Sequence, residues 1–407
     1  MTASADVVIV GAGLAGACAA ALLARHARLD PARVVLIGNA PLPIASGAAP
    51  ELRVAAISRS SEHVLRAAGA WQRLDTARLC PYQRMRVWHQ SASPDGPAAL
   101  RFDAADIGEP NLGYIAEMSA LTRACLDSFS AAGGSLISGE LERLSIDESA
   151  AQLSVGGSTL STRLVVGADG ADSSVRRQAG LGMRVREYHQ LAIVATVSSE
   201  RPHDATAWQR FLSSGPLALL PLFDGSSSMV WSLDLPLAQQ LLACEAHEFE
   251  LRLQAAAQVL GAMRLASARA SFPLRSADAQ AYVAPRCALI GDAAHVIHPL
   301  AGQGANLGLL DAAALCERVA AAPSLREDVG ALRVLRGYEQ QRRTHNRLMG
   351  AAMNVLQGGF AQAREPWSAL LNLGLGAVER SVALKRAFAR QALGLAGELP
   401  RLARAPI

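Results

Sequence analysis

The stretch that decides the fold is residues 287–311, which read CALIGDAAHVIHPLAGQGANLGLLD. Its first four residues form a short apolar run of the kind found in buried parallel strands, and the run stops at Gly291 and Asp292. Asp292 is therefore predicted to lie at the carboxyl end of a strand, where open α/β sheets bind their ligands.

The second half of this stretch predicts the beginning of a helix. Pro299 interrupts the chain, residues 302–304 supply a flexible turn, and a helix-compatible pattern resumes at Ala305. The free N–H groups at the start of that helix would point back towards Asp292. Asp292 would accept hydrogen bonds, and the helix start would provide positive potential in the same crevice. This pair suits a cofactor that has hydroxyl groups and a ring that becomes anionic, as a reduced flavin does.

The N-terminus carries a second nucleotide-binding pattern. A β-branched strand at residues 7–10 is followed by Gly11, Gly13 and Gly16 in a Gly-x-Gly-x-x-Gly arrangement, and then by an alanine-rich helical run. In this strand, turn and helix context the glycines let backbone N–H groups approach a pyrophosphate. The pattern predicts a dinucleotide site, and a glycine turn that serves only close packing is the alternative.

Three further residues are candidates for the same site. Asn39 follows a strand at residues 34–37, where an acidic residue usually binds the adenosine ribose; its amide can accept a hydrogen bond, but without the help of charge. Arg53 follows a Pro- and Gly-rich loop and is either a phosphate contact or a solvated arginine. Asp169 repeats the strand-then-carboxylate design of Asp292 and is either a cofactor ligand or a turn residue.

Composition limits the remaining classes of function. The 407 residues, 51% of them hydrophobic, are enough for two or three structural units, and a net charge of +4 without a basic block argues against nucleic-acid binding. Six cysteines without a Cys-x-x-Cys pair predict a reducing compartment and no structural metal. His295 and His298 lie three residues apart, but the sequence shows no third ligand beside them, so we do not expect a metal site there. With no signal peptide and no membrane-length apolar run, we expect a soluble cytoplasmic protein that could still touch a membrane surface.

The central part of the chain has a different pattern. From residue 181 to 273, alternating strands and many turns predict an antiparallel sheet that stands apart from the nucleotide-binding layers. The apolar stretch at residues 215–221 and the aromatic residues near it either wall a substrate cavity or form sheet core. These aromatic residues are Trp208, Phe211, Phe223 and Trp231.

Three motifs together carry a resemblance to a known family. Gly-x-Gly-x-x-Gly at 11–16, Gly-Ala-Asp-Gly at 167–170 and Gly-Asp-Ala-Ala-His at 291–295 resemble those of the single-component flavoprotein aromatic hydroxylases, the para-hydroxybenzoate hydroxylase class. Finer matches resemble the ubiquinone-biosynthesis hydroxylase branch, at residues 52–57, 215–221, 298–308 and 390–394. The likeness runs nearly end to end, and it is more specific for the flavin fold than for the substrate.

The resemblance implies a fold and a division of the chain. The fold is an α/β Rossmann-like FAD-binding domain of the glutathione-reductase type, with an inserted, mainly antiparallel β-sheet substrate domain and a helical C-terminus. We expect FAD-binding segments at 1–80, 111–180 and 279–345, and substrate-domain segments at 81–110 and 181–278. Helices are predicted over residues 312–347 and 353–397, within a C-terminal region of 346–407. The last helix has a basic amphipathic face, which suits anionic lipid, a partner or packing on the body of the protein.

The resemblance also implies one FAD, NADPH or NADH as the reductant, and no metal. The candidate cofactor-binding residues are Gly11, Gly13, Ala15, Gly16, Asn39, Arg53, Asp169, Asp292, Gly302, Gly304, Ala305 and Asn306. The backbone N–H groups of Ala305 and Asn306 would stabilise the negative charge of the reduced ring. His298, Pro299 and Gln303 are the candidate catalytic residues beside that ring.

The activity implied by the resemblance is hydroxylation of the aromatic ring of a polyprenylated phenol in ubiquinone biosynthesis, with O2 and through a flavin hydroperoxide. Two alternatives stay open. One is a hydroxylase, epoxidase or reductase acting on another aromatic or prenyl substrate, and the other is a non-catalytic flavin-binding assembly subunit. The implied partners are the phenol, a ubiquinone-synthesis complex or a second copy of the chain, with peripheral contact at the inner face of the membrane.

Overall fold

The structure is a computed structural model that describes residues 3–45, 47–297, 303–322, 328–361 and 398–405. Within these ranges the chain forms strands β1 (Ala3–Val10), β2 (Val34–Ile37), β3 (Val54–Ile57), β4 (Cys80–Tyr82), β5 (Arg84–His89), β6 (Leu100–Asp103), β7 (Gly113–Glu117), β8 (Ser135–Ile137), β9 (Arg143–Ile146), β10 (Ala151–Val155), β11 (Ser158–Gly167), β12 (Met183–Ser199), β13 (Thr206–Leu212), β14 (Gly215–Pro221), β15 (Ser227–Asp234), β16 (Met263–Leu265), β17 (Ala270–Ala279), β18 (Val283–Ala284), β19 (Cys287–Leu289) and β20 (His295–Val296). The helices longer than one turn are α1 (Leu14–His26), α2 (Arg59–Ala67), α3 (Met118–Ala131), α4 (Ser174–Gln178), α5 (Leu235–Ala243), α6 (Ala246–Ala257), α7 (Gln303–Ala321) and α8 (Leu332–Ala361).

The first sheet is built on five parallel strands in the order β8, β2, β1, β11, β19. Its centre is the continuous β-branched run at residues 7–10, which is buried on both faces as central parallel strands are. Antiparallel strands extend it, with β18 beside β19 and with β10 and β9 beside β11. Helices α1, α3 and α7 pack together to form a helical layer of this part of the molecule.

Register brings the ends of three strands to one edge of this sheet. Val10 lies opposite Gly167, and Gly167 lies opposite Leu289. The loops that follow β1, β11 and β19 therefore leave the sheet side by side. This is the edge at which the sequence predicts its glycine turn and its two carboxylates.

The second sheet is mainly antiparallel, in the order β20, β17, β12, β15, β14, β13, β5, β6. One exception is the parallel pair of β13 and β5. Helices α5 and α6 cover one face of this sheet, where Trp231 packs edge-on against Phe249 with ring centroids 6.3 Å apart. A third, small sheet in the order β3, β7, β4 packs against the opposite face of the second sheet.

The predicted α/β fold class, with its parallel nucleotide-binding sheet and its separate antiparallel sheet, is confirmed. The prediction of strands and turns throughout 181–273 is wrong for α5 and α6. Short apolar runs such as residues 235–243 do not distinguish strand from helix by periodicity, and Pro236 is compatible with the first turn of a helix.

The helices of the C-terminal third also differ from the prediction. The expected helix over 312–347 is interrupted, because α7 ends at Ala321 and α8 begins at Leu332. Helix α8 then runs through the expected break at 348–352. The basic amphipathic face predicted between 362 and 397 lies outside the described residues. No helix within the described ranges combines the length and the hydrophobicity needed to cross a membrane.

The aromatic residues near the predicted cavity wall divide between the two faces of the second sheet. Trp208 packs against Trp88 with ring centroids 6.1 Å apart, on the same face as Trp231, so both are sheet core beneath α5 and α6. Phe211 alternates with Trp208 along β13 and lies on the other face. Phe223 packs under the guanidinium group of Arg78. The cavity-wall interpretation is therefore wrong for the two tryptophans.

Candidate active site

Backbone hydrogen bonds hold the three loops at the edge of the first sheet. Gly11 N–H donates to the carbonyl of Ile37 (2.8 Å), and Ala168 N–H donates to that of Val10 (2.8 Å). Ile290 N–H donates to the carbonyl of Gly167 (2.9 Å). The loops after the central strands are thus tied to the neighbouring strand ends, and their backbone has a fixed position before any ligand binds.

The glycines of the first loop have two different tasks. Gly11 has φ of +111°, and a Cβ atom there would lie 2.2 Å from the carbonyl oxygen of Ala168, so only glycine fits. Gly13 precedes the first residue of α1, and a Cβ atom there would meet nothing within 4 Å. Open space at the start of a helix with free N–H groups suits a phosphate group. Gly11 therefore closes the turn, and Gly13 borders the space that a pyrophosphate needs.

Asp292 and Arg53 face the same cleft. Both side chains are exposed, and Asp292 accepts no hydrogen bond from the described residues. Burial of the surrounding cleft nevertheless raises the pKa of Asp292, and the charges of His295, Arg53 and Arg275 offset part of this rise. The carboxylate is thus open to solvent and lies among groups that shift its pKa. It suits the hydroxyl groups of a ligand as an acceptor.

Asp169 caps a helix. One carboxylate oxygen accepts the hydroxyl of Ser173 (2.5 Å), and the other accepts the N–H groups of Ser174 (2.7 Å) and Val175 (3.1 Å) at the start of α4. Asp169 therefore has a structural role in the turn before α4, which was the alternative to a role as cofactor ligand. Its contact with the cofactor stays a prediction. Ser173 caps the same helix, since its hydroxyl oxygen accepts the N–H of Arg176 (2.9 Å).

Helix α7 begins at Gln303, two residues before the predicted start. The buried Asn306 side chain accepts the N–H of Ser58 (2.9 Å) and donates to the carbonyl of Ala56 (2.8 Å), which attaches the helix start to β3 and α2. A Cβ atom at Gly304 would meet nothing within 4 Å. Backbone N–H groups of the first turn therefore border open space, as a site for an anionic ring edge requires.

The start of α7 also approaches the loop that carries Asp292. A Cβ atom at Gly308 would lie 3.2 Å from the Cβ of Ala15 and 3.4 Å from the Cα of Gly291. Helices α1 and α7 therefore meet through small residues, with the 291–295 loop between them. Ala15 contributes to the site by packing, because its side chain is a methyl group. The pyrophosphate end and the ring end of the predicted site form one continuous edge.

The sequence reasoning missed a buried polar network behind this edge. Asp311 is fully buried, and its carboxylate accepts hydrogen bonds from Gly291 N–H (3.1 Å), His295 Nε2 (2.5 Å), Arg342 Nε (2.8 Å) and Asn346 Nδ2 (3.1 Å). Burial by itself would raise the pKa of Asp311, but the charges and hydrogen bonds of His295 and Arg342 outweigh it and hold that pKa well below the usual range. The network joins α7, α8 and the loop of Asp292.

A signal for this network was available in the sequence. Asp311 is the one acidic residue in the apolar run at residues 307–316, and a lone carboxylate on a buried helix face requires a partner. Its partners could not be chosen from the sequence, because Arg342 and Asn346 follow about 30 residues later among many other polar residues.

The remaining predicted site residues are only partly described. Asn39 is exposed and follows β2 at the same edge of the sheet. Gly16 lies in the first turn of α1, and Ala305 is half-buried in the first turn of α7. His298, Pro299 and Gly302 lie outside the described residues, and only the backbone of Gln303 is described. Among the described side chains, no group of three potential metal ligands is found.

Comparison with known proteins agrees with this geometry. The chain matches the FAD binding domain family over residues 4–351. It is 36% identical over 411 residues to 3-demethoxyubiquinol 3-hydroxylase of Escherichia coli, covering 96% of this chain and 98% of that protein. It is 38% identical over 408 residues to ubiquinone hydroxylase UbiL of Rhodospirillum rubrum, covering 98% and 92%. It is 33% identical over 430 residues to the human ubiquinone biosynthesis monooxygenase COQ6, covering 93% and 90%.

Solved structures show the same fold. PqsL from Pseudomonas aeruginosa, a probable FAD-dependent monooxygenase, has a TM-score of 0.74 at 24% identity, covering 91% of this chain and 99% of that one. The p-nitrophenol 4-monooxygenase PnpA from Pseudomonas putida has a TM-score of 0.75 at 18% identity, covering 97% and 99%.

The fold, the cleft and these comparisons define the protein as an FAD-dependent aromatic monooxygenase that uses NADPH or NADH as its reductant. Within that class, the chain belongs to the ubiquinone-biosynthesis hydroxylase family, as the sequence motifs predicted. The described residues fit the cofactor: they offer open space beside Gly13 and Gly304, and a carboxylate at Asp292 that is free to accept hydroxyl groups.

Proposed function

We propose that this protein hydroxylates the aromatic ring of a polyprenylated phenol during ubiquinone biosynthesis, with FAD, O2 and NADPH or NADH. The observation that carries the proposal is 36% identity to a 3-demethoxyubiquinol 3-hydroxylase over 96% of the chain. The names of that relative and of UbiL describe hydroxylation of a demethoxyubiquinol and of ubiquinone. The continuous cleft between the glycine turn and the start of α7 supports the same activity.

Each part of the cleft has a role in this proposal. FAD supplies the oxygen chemistry once it is reduced. Gly11 and Gly16 allow the close backbone contacts that form the turn, and Gly13 leaves room for the pyrophosphate. Arg53 contacts a phosphate, and Asp292 accepts ribityl hydroxyl groups. Asn39 contacts the adenosine ribose, and Asp169 orders the neighbouring loop as well as contacting the cofactor.

The ring end of the cleft is assigned to the start of α7. Backbone N–H groups of Gly304, Ala305 and Asn306 stabilise the negative charge that reduction places on the ring edge. His298, Pro299 and Gly302, in the connection between β20 and α7, and Gln303, at the start of α7, stay the candidate residues beside the ring. The protein otherwise positions the phenol and excludes water, since an electron-rich phenol ring needs no separate nucleophilic group.

The proposal includes a division of the chain and a place of action. The FAD-binding segments are 1–80, 111–180 and 279–345, the substrate-domain segments are 81–110 and 181–278, and 346–407 is a helical C-terminal region. A prenylated substrate dissolves in lipid, so we extend the proposal to a cytoplasmic protein that works at the inner face of the membrane. There it acts as a homo-oligomer or as part of a ubiquinone-synthesis complex.

Product analysis under labelled oxygen tests the activity. The purified protein, loaded with FAD, is given a short-chain prenylphenol and NADPH or NADH under ¹⁸O2, and the product is examined by mass spectrometry. We expect one labelled oxygen atom on the ring, and no product from the Asp292→Ala variant, which should retain little FAD. A product without the label would instead indicate a reductase, and flavin binding without oxidation of either nicotinamide would indicate an assembly subunit.

A cell that lacks the protein gives the substrate. Mass spectrometry of the quinone intermediates that accumulate in such a cell names the missing hydroxyl group directly. We expect an intermediate one ring oxygen short of the next compound in the sequence, and its disappearance when the wild-type chain is restored.

A further inference from the structure

The loop that carries Arg53 has no regular structure of its own. Residues 47–53, which we call the Arg53 loop, form neither helix nor strand, and none of them is buried. An exposed loop without a ladder of backbone hydrogen bonds samples many conformations unless other groups hold it. Arg53 is the last residue before β3, so its position depends on what holds this loop.

Two side chains from outside the loop hold it. Arg78 Nη1 donates to the carbonyl of Ala48 (2.9 Å), and Nη2 donates to that of Ala49 (3.4 Å). Glu117 Oε1 accepts the N–H of Glu51 (2.9 Å). The two side chains are joined to each other by a two-point ion pair, with Nε–Oε2 and Nη2–Oε1 distances of 2.8 and 2.7 Å. One guanidinium group therefore binds a carboxylate and two loop carbonyls at once.

The ion pair itself is fixed by its surroundings. The side chain of Glu117 is 2% exposed and that of Arg78 is 14% exposed, so water competes little for their hydrogen bonds. The guanidinium group of Arg78 also lies over the ring of Phe223, 4.5 Å from its centroid. Phe223 follows β14, so this contact joins the second sheet to the ion pair. Although Glu117 is the N-cap residue of α3, its carboxylate does not cap that helix.

The backbone of Arg53 is held at two points. The N–H of Met118 donates to the carbonyl of Arg53 (2.9 Å), and Glu51, two residues earlier, is bound by Glu117. The side chain of Arg53 is exposed. Burial raises the pKa of Asp292, and the charge of Arg53 is among those that offset part of this rise. Arg53 is therefore within electrostatic reach of the carboxylate at the cofactor edge.

We propose that Arg78 and Glu117 are positioning residues that hold Arg53 where it contacts a phosphate of FAD. The inference rests on the proposed function, which assigns that contact to Arg53. On an unheld loop, Arg53 would occupy the productive position for a smaller fraction of the time, and the FAD dissociation constant would rise as that fraction falls. Because Arg78 acts through Arg53, its removal cannot weaken FAD binding more than removal of the Arg53 side chain does.

A double-mutant cycle tests this route. FAD dissociation constants are measured by quenching of flavin fluorescence. Arg53→Met should bind FAD about tenfold or more weakly, as for the loss of one hydrogen bond between charged groups, and Arg78→Met about three- to tenfold more weakly. The double variant should bind no more weakly than Arg53→Met alone, because Arg78 then has no contact to position. Effects that multiply in the double variant would show that Arg78 supports FAD binding by another route, and would overturn the proposal.

Trypsin measures the position of the loop without the cofactor. It cleaves after arginine, and a bond in a loop is cleaved when the loop opens locally. FAD-free Arg78→Met should be cut after Arg53 several times faster than the wild type. Phe223→Leu should show a smaller increase, since leucine offers no aromatic face to the guanidinium group. An unchanged rate of cleavage after Arg53 in Arg78→Met also overturns the positioning role.

A matched control and a second variant separate this role from folding. Arg73 lies nearby in the chain but donates to the carbonyl of Gly69 (2.9 Å), so Arg73→Met should change neither FAD affinity nor cleavage. Arg78→Met also leaves the buried carboxylate of Glu117 without its counter-charge, which lowers stability. Arg78→Lys keeps that charge but lacks the planar fork that binds carboxylate and carbonyls together. It should be more stable than Arg78→Met and still bind FAD more weakly than the wild type, and it carries the same test should Arg78→Met not fold.

Failure of this inference is distinguishable from failure of the proposed function. Weaker FAD binding in Arg53→Met together with unchanged binding in Arg78→Met overturns the positioning role alone. Wild-type FAD affinity in Arg53→Met overturns the phosphate contact that the proposed function assigns to Arg53. Hydroxylation itself is tested separately, by the incorporation of labelled oxygen.

Discussion

Replacing Asp311 by asparagine should destabilise the protein more than almost any other single change at this edge of the sheet. Asp311 and Arg342 are both fully buried, so solvent does not screen their interaction. Asparagine keeps the shape of the side chain but leaves the guanidinium charge of Arg342 without a counter-charge. Breaking a buried ion pair in this way costs about 3–5 kcal/mol. The N–H of Gly291 should also lose much of its hydrogen bond, which loosens the loop of Asp292.

Urea unfolding of the FAD-free protein, followed by tryptophan fluorescence and circular dichroism, measures the loss. With a slope of about 3 kcal/mol per molar urea, the midpoint should fall by about 1 M or more. The affinity for FAD, measured by quenching of flavin fluorescence, should fall as well. Asp328→Asn is the control, because Asp328 forms its ion pairs with Arg286 and Arg163 at a partly exposed site and should lose about 1 kcal/mol or less.

The pH dependence of this loss has a definite sign. The pKa of Asp311 is lower in the folded protein than in the unfolded chain, so its contribution to stability is complete above the unfolded value of about 4 and is lost as the pH falls below it. The difference between wild type and Asp311→Asn should be present at pH 7 and should shrink below about pH 4. A loss no larger than that of Asp328→Asn at pH 7 would refute the role of Asp311 as the counter-charge of Arg342.

The other residues at this edge give predictions that separate cofactor binding from folding. Because burial raises the pKa of Asp292, ionisation of its carboxyl group opposes folding above about pH 4. The FAD-free form of Asp292→Asn should therefore be at least as stable as the wild type at pH 7, and the purified variant should show little flavin absorbance at 450 nm. Normal flavin content would contradict the assignment of Asp292 to the cofactor. Gly11→Ala should lower the yield of folded protein, because its Cβ would lie 2.2 Å from the carbonyl oxygen of Ala168. Gly13→Val should lose FAD while the FAD-free fold loses about 1 kcal/mol or less, as thermal unfolding would show, since that Cβ meets no atom. Asn39→Glu should tighten FAD binding several-fold in a fluorescence titration, and unchanged affinity would place the adenosine ribose elsewhere.

Local patterns predicted the elements that carry the site. The strands predicted at residues 7–10 and 34–37 are confirmed, because each depends on a short apolar run and the residues that end it. The start of α7 was predicted to within two residues by Pro299 and the glycine-rich turn. Such signals are local in the chain, so a single sequence contains them.

The contacts that assemble the site could not be predicted in the same way. The backbone N–H of Asn306 was predicted to face the ring, but the sequence did not show that its side chain attaches α7 to Ser58 and Ala56, which are far away in the chain. Asp169 has its carboxylate engaged in capping α4, which its position after a strand did not reveal. The Asp311 network depends on which polar residues of a later helix face inwards, and that depends on tertiary packing.

The bond between Asn306 and Ser58 spans 248 residues. A ribosome that adds 5 to 20 residues per second needs about 12 to 50 s to make the intervening chain. During that time β3 has emerged without the helix that later fixes its edge. The flavin can therefore be enclosed only when most of the polypeptide has been translated. A chain released before residue 292 would have the glycine turn of a nucleotide-binding protein but would lack both Asp292 and the start of α7.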